Sequence, residues 1–117
     1  MHLVATALCF SVIAEHVAFM VLEIFFWQKP LGRRIFRRSV EDARTSAALA
    51  ANQGLYNGFL AAGLAAALYF GDGRFTLFFL GCVIVAGVFG AATVNRRIFF
   101  VQAVPAIAAC ALVCATR

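Results

Sequence analysis

Three ionisable side chains lie within an apolar run near the N-terminus: Glu15, His16 and Glu23, in the stretch AEHVAFMVLE. On a helix turning about 100° per residue, Glu23 lies about 20° from His16 and about 80° from Glu15. All three fit a sector of roughly 100°, with Phe19, Met20 and Trp27 at its edges. An ionisable group at the centre of a membrane helix costs about 2.5–3.5 kcal/mol on insertion scales, so three on one face must look at a bundle interior or at water. Removal from water favours the uncharged acid, which suits Glu15 and Glu23, with His16 beside them, to bind and release a proton. A single such residue would be equally well explained as a packing hydrogen bond. Three on one face point to a site.

A second polar set interrupts the next apolar run, AANQGLYNGFLAAG at Ala50–Gly63. Asn52, Gln53, Tyr56 and Asn57 fall within about 140° of a helical wheel, and Gly54 and Gly58 fall mostly opposite, with Ala61 and Ala62 nearby. The carboxamides and the tyrosine are the candidate ligand-binding groups, and the small side permits close helix contact, within the chain or between copies. Gln102 is a fifth candidate. Pro105 follows it by three residues and cannot donate a backbone hydrogen bond, which leaves a carbonyl near Val101 available to water or a ligand. Asn52 and Gln53 are expected near the level of Glu23, and Asn57 deeper, closer to Glu15 and His16. With Thr93 and Asn95 closing the third helix at the same side, these groups predict a polar cavity in the cytoplasmic half that narrows toward Glu15. The plainer alternative is that the carboxamides are interhelical glue, each worth about 0.6–2 kcal/mol.

The elements that must position these groups follow from composition. The 117 residues are 64% hydrophobic and 13% charged, against about 45–50% and about 25% in soluble domains, so the chain reads as a membrane protein. Apolar runs at 3–27, 45–70, 75–94 and 98–116 predict four spans, which together leave no room for a soluble domain. Pro30 and Gly32, then Gly71-Asp72-Gly73, then Asn95-Arg96-Arg97 mark the joints. Short connections force antiparallel neighbours, so the expected fold is all-α: a transmembrane four-helix bundle forming a single integral membrane domain. The first run lacks a preceding Lys or Arg and runs long, so it reads as a retained helix rather than a signal peptide. Ser39-Val40-Glu41-Asp42 has the spacing of a helix N-cap followed by acidic residues, which starts the second helix near Val40.

Lys29, Arg33, Arg34, Arg37, Arg38 and Arg44 occupy the first connection, and Arg96 and Arg97 the third. The second carries only Arg74, and the chain ends on Arg117. Positive charge marks the cytoplasmic side, so the basic connections lie there, both termini lie outside, and the chain is placed in the inner cell membrane as a multi-pass protein. The net charge of +5 lies in short stretches between apolar runs, which favours contact with the bilayer and its anionic lipid over nucleic acid. RRIFRR is then a snorkelling basic collar or a specific lipid or partner site. Cys9, Cys82, Cys110 and Cys114 sit among Ala, Leu and Val as small apolar residues, although an oxidising exterior would permit a bridge from Cys9 to the fourth helix. No metal is expected, because His16 is the only histidine inside a span, and no cofactor is expected, because a bis-histidine haem needs a second one.

AEHVAFMVLEIFFW, AANQGLYNGFLAAG and GAATVNRRIFFVQAVPA, in this order and spacing, resemble the domain of unknown function 1304 family of small four-span bacterial membrane proteins. The resemblance covers nearly the whole chain. It implies an integral membrane protein with four helices and carries over no catalytic residue. A looser architectural similarity is to small multidrug resistance transporters, which couple export to protons through a glutamate in the middle of the first helix, where Glu15 stands here. The residues around Glu15 and the carboxamide-rich second helix depart from that family, so little transfers.

Three functions fit these residues. In the first, a proton-linked transporter or permeation path for a small organic or amphipathic compound, Glu15 and Glu23 exchange protons and Asn52, Gln53, Asn57 and Gln102 bind the compound. Homodimerisation along Gly/Ala faces would enlarge so small an interior. The second is an intramembrane isomerase-like enzyme on a lipid-like substrate, with His16 and a glutamate shuttling a proton. The third is a structural or accessory membrane subunit held together by its polar groups.

Overall fold

The computed structural model describes residues 2–93 and 95–116, and every regular element among them is helical. The expected end of the third run at Val94 and the charge of Arg117 lie outside the described residues. In chain order the elements are α1 (Leu3–Phe25), α2 (Pro30–Phe36), α3 (Val40–Tyr69), α4 (Gly73–Thr93), α5 (Arg96–Ile98), a π-helical segment (Phe99–Ala103) and α6 (Val104–Ala115). Leu3–Phe25, Gly73–Thr93 and the run Arg96–Ala115 are long and apolar enough to cross a membrane. At 30 residues α3 is longer than any of them, but Asn52, Gln53, Asn57 and its charged first turn make it less apolar.

The joints have local causes. Ser39 caps α3 as its spacing predicts, its Oγ accepting the Asp42 N–H at 3.1 Å. Gly71 takes φ +66° after α3, and Asp72 then caps α4, its Oδ1 accepting from Arg74 N at 3.0 Å and Phe75 N at 3.3 Å. The Asn95 side chain accepts from Arg97 N at 2.8 Å and starts α5. Pro105 is accommodated by the π-helical segment, in which the Val104 N–H bonds back to the Phe99 carbonyl. Since that N–H is taken and Pro105 has none, the Phe100 carbonyl loses its usual donor, one residue before the carbonyl the sequence points to.

The first connection corrects the reading of Pro30 and Gly32 as breakers. They belong to α2, with Pro30 in the first turn, where its missing N–H costs nothing. Arg37 ends this helix at φ 56° and ψ 51°, in the left-handed region, with its N–H on the Arg33 carbonyl. A side chain there costs about 1 kcal/mol. Arg37→Gly is therefore expected to raise the midpoint of thermal unfolding in detergent, and an unchanged or lower midpoint would mean that the arginine side chain compensates the strain.

The described chain forms two compact units. One contains residues up to Glu15 and from Leu60 onward. Its core is made of Ala5, Cys9 and Val12 of α1, Leu64 of α3, Leu80 and Val83 of α4, and Ala106, Ala109 and Val113 of α6. Small residues let its backbones approach: a Cβ at Gly87 of α4 would lie 2.8 Å from the Ala103 Cβ. The four cysteines are free thiols, and Cys9 is buried within this core.

The other unit, His16–Phe59, holds the end of α1, all of α2 and the first two-thirds of α3. Trp27 organises its connection. The indole Nε1 donates to Ser46 Oγ at 3.0 Å, the Phe36 ring lies 4.9 Å away, and the Arg38 guanidinium sits 5.9 Å over the ring.

Candidate functional site

The His16–Phe59 unit joins one acid to one carboxamide. Glu23 faces α3 from the last turn of α1, and Asn57 projects from α3 to meet it. The Asn57 Nδ2 donates to the Glu23 Oε1, and both side chains are buried, at 6% and 9% exposure. A buried acid without such a donor would bear its full desolvation cost, so this bond is what makes Glu23 tolerable inside the unit.

Glycines set the separation. A Cβ at Gly54 would lie 2.9 Å from Ile24 Cγ1, 3.1 Å from Glu23 Cβ and 3.1 Å from the Met20 carbonyl oxygen. A Cβ at Gly58, one turn on, would lie 2.6 Å from Met20 Sδ. Only positions without a side chain let α1 and α3 come close enough for a residue as short as asparagine to reach the acid.

Glu23 also borders an open groove of about 380 Å³, which is lined with Ile24, Phe25, Trp27, Gln28, Lys29 and Ala47. Glu23 is therefore both buried against α3 and part of the lining of a groove that opens at the basic connection. With Oε1 accepting the amide, a proton taken up by the acid belongs on Oε2. The arrangement can hold a proton, and it can present a hydrogen-bond donor or a negative charge to whatever enters the groove.

The other candidates are placed differently. His16 belongs to the same unit and is 1% exposed, with its ring edge-on to Phe19 at 5.9 Å. Asn52, Gln53 and Tyr56 are exposed, Tyr56 meeting Phe59 ring to edge at 5.8 Å. Asn57 thus sides with the glycines, and not with the carboxamides among which the wheel grouped it. Glu15 and Gln102 belong to the other unit. Glu15 Oε1 is buried there without a hydrogen-bond partner among the described residues, and Gln102 is half-buried in the π-helical segment. Thr93 and Asn95 are engaged locally, Thr93 donating to the Phe89 carbonyl at 2.7 Å and Asn95 capping α5.

Gln28, Lys29 and Ala47, which line the groove, and Ser46, which holds Trp27, were not legible as site residues. One signal could have found the inward face of α3. Ala43, Ala50, Asn57 and Leu64 recur every seven residues, as do Gly54 and Ala61, and all are buried. Asn57 is the polar member of that apolar repeat.

Comparison with known proteins places these residues in a wider setting. The family described as "Protein of unknown function (DUF1304)" matches residues 10–114. The chain is similar to the "Uncharacterized protein YpaA" of Lactococcus lactis subsp. lactis, at 29% identity over 106 residues, covering 87% of this chain and 89% of that one. No solved structure matches.

Proposed function

The chain belongs to the DUF1304 family of proteins of unknown function, and from that premise we propose that it is a small proton-linked transporter or permeation path of the inner cell membrane. In this reading α1, α3, α4 and the α5–α6 run are the four spans, and the bundle keeps both termini outside and the basic connections in the cytoplasm. Glu23 is the proton-binding acid. The compound carried is small and organic or amphipathic, and it enters through the groove beside Trp27.

One observation carries the reading: Glu23 is buried and bonded to Asn57 while bordering a groove that opens among Trp27, Gln28 and Lys29. A purely structural acid has no need of an open approach. A proton-binding acid needs one, together with a partner that holds it in place when it is charged. Gly54 and Gly58 support the reading, because they face α1 and keep Glu23 in reach of Asn57.

The test is proton flux into liposomes containing the purified protein, driven by an imposed pH gradient and read with an internal pH dye. Glu23→Gln keeps the shape and the acceptor for Asn57 but cannot take up a proton. It is expected to lower the flux at least tenfold, with Glu15→Gln measured beside it. Undiminished flux in Glu23→Gln would remove Glu23 from the coupling role, and absence of flux in the unaltered protein would remove the proton-linked reading.

A further inference from the structure

The basic connection holds a structure the sequence does not announce, and α2 has three distinct sides. Gly32 and Phe36, about 40° apart on the wheel, face the protein, Gly32 against the Phe26 carbonyl and Phe36 against Trp27. Leu31 and Ile35, also about 40° apart, are 47% and 49% exposed. Arg34 is exposed about 60° to the other side of Leu31. The left-handed residue Arg37 then turns the chain back, so that Arg38 returns over Trp27.

Five basic residues, Lys29, Arg33, Arg34, Arg37 and Arg38, fall within ten positions that contain no acid. The ion pair seen among the described residues, Arg44 with Glu41, lies beyond them. A short helix with one side against protein, one apolar flank exposed, Arg34 beside that flank and two more arginines in the turn that follows is built for the surface of a bilayer. There the apolar flank enters the acyl boundary and the guanidinium groups stay at the level of the headgroups.

We propose that α2 and the turn after it form a binding site for an anionic phospholipid, with Leu31 and Ile35 against its acyl chains and Arg34, Arg37 and Arg38 around its phosphate. The site rests on the membrane placement of the chain and is independent of transport. Charge complementarity selects the occupant, since each arginine near an anionic surface contributes about fivefold to association. The left-handed conformation gains a purpose: an arginine stands where glycine would be unstrained, because its side chain meets the headgroup.

Trp27 is the chain's only tryptophan and lies beneath Arg38, so its fluorescence reports on this site. The protein is placed in phosphatidylcholine vesicles in which either brominated phosphatidylglycerol or brominated phosphatidylcholine is the quencher. Phosphatidylglycerol is expected to quench Trp27 at the lower mole fraction. The preference, taken as a ratio within each variant, should fall about fivefold for each of Arg34→Gln, Arg37→Gln and Arg38→Gln, and Arg34→Lys should retain most of it. Arg37→Gly should lose preference while gaining thermal stability, which a merely structural arginine would not do. Equal quenching by the two lipids, or a preference that survives the triple glutamine variant, would overturn the site. So would loss of the preference on adding inorganic phosphate, which would assign it to free phosphate. Quenching by neither lipid would instead overturn the membrane placement and the site with it.

Discussion

Asn57→Leu is expected to cost about 1–3 kcal/mol of stability, the penalty for leaving a buried polar group without its hydrogen bond. Leucine has asparagine's branching but a larger volume, so overpacking adds to the loss at Glu23, which keeps its burial and loses the Asn57 amide. Two further variants separate this cause from packing. Glu23→Gln preserves an acceptor for the Asn57 amide and should cost less than Asn57→Leu. Glu23→Met combined with Asn57→Leu replaces both partners with apolar groups and should recover most of the loss, because an empty polar pair costs more than none. Reversible unfolding in mixed detergent micelles gives each value, and the cycle gives the coupling. Hydrogen bonds measured this way in membranes average about 0.6 kcal/mol and reach about 1.7 kcal/mol. A coupling in the upper part of that range is expected for this pair. Additive losses would mean that the two residues act separately and that the bond does not hold the acid.

Much of the helical architecture is legible from local chemistry. The long apolar runs, the Ser39 cap, the Gly71-Asp72-Gly73 turn and the start of α5 at Asn95 each depend on residues next to one another. Where placement depends on contacts distant in sequence, the residues alone mislead. Pro30 and Gly32 look like breakers until Gly32 is seen against the Phe26 carbonyl, where the lack of a side chain seats α2. Asn57 shows the same limit at the site. It stands about 140° from Asn52 but only about 60° from Gly54, so the wheel permits either grouping. Close approach of α1 decides, because the side of α3 without bulk is the side a neighbouring backbone can reach. Depth along the helices sets Asn52 and Gln53 level with Glu23, and Asn57, past the middle of α3, nearer Glu15 and His16, so the bond from Asn57 to Glu23 was not legible. Nor was it legible that exposed Asn52 and Gln53 would lie apart from Asn57.

Gly54→Val is expected to be as damaging as any single substitution in the His16–Phe59 unit, at about 1–3 kcal/mol from overpacking alone. The added Cβ meets Ile24, the Glu23 Cβ and the Met20 carbonyl oxygen at 2.9–3.1 Å. Side chains can turn away, but a helix carbonyl cannot, so α1 must move. Moving α1 lengthens the reach from Asn57 to Glu23, and the variant should therefore lose that coupling as well. Gly81 is the control. A Cβ there would meet nothing within 4 Å, and Gly81→Ala should be neutral or stabilising by about 0.5–1 kcal/mol through helix propensity. Both are read by unfolding in detergent, with Trp27 fluorescence reporting the connection and cross-linking reporting the oligomeric state. The comparison also decides what the G-x-x-x-G motif at Gly54 and Gly58 is for. Such a motif can pack one helix of a chain against another or join two copies of the chain. The contacts with Met20, Glu23 and Ile24 assign it to the first role. If Gly54→Val left the unit stable and only separated copies, that assignment would fail. The inward face of α3 would then have to be sought elsewhere on the helix.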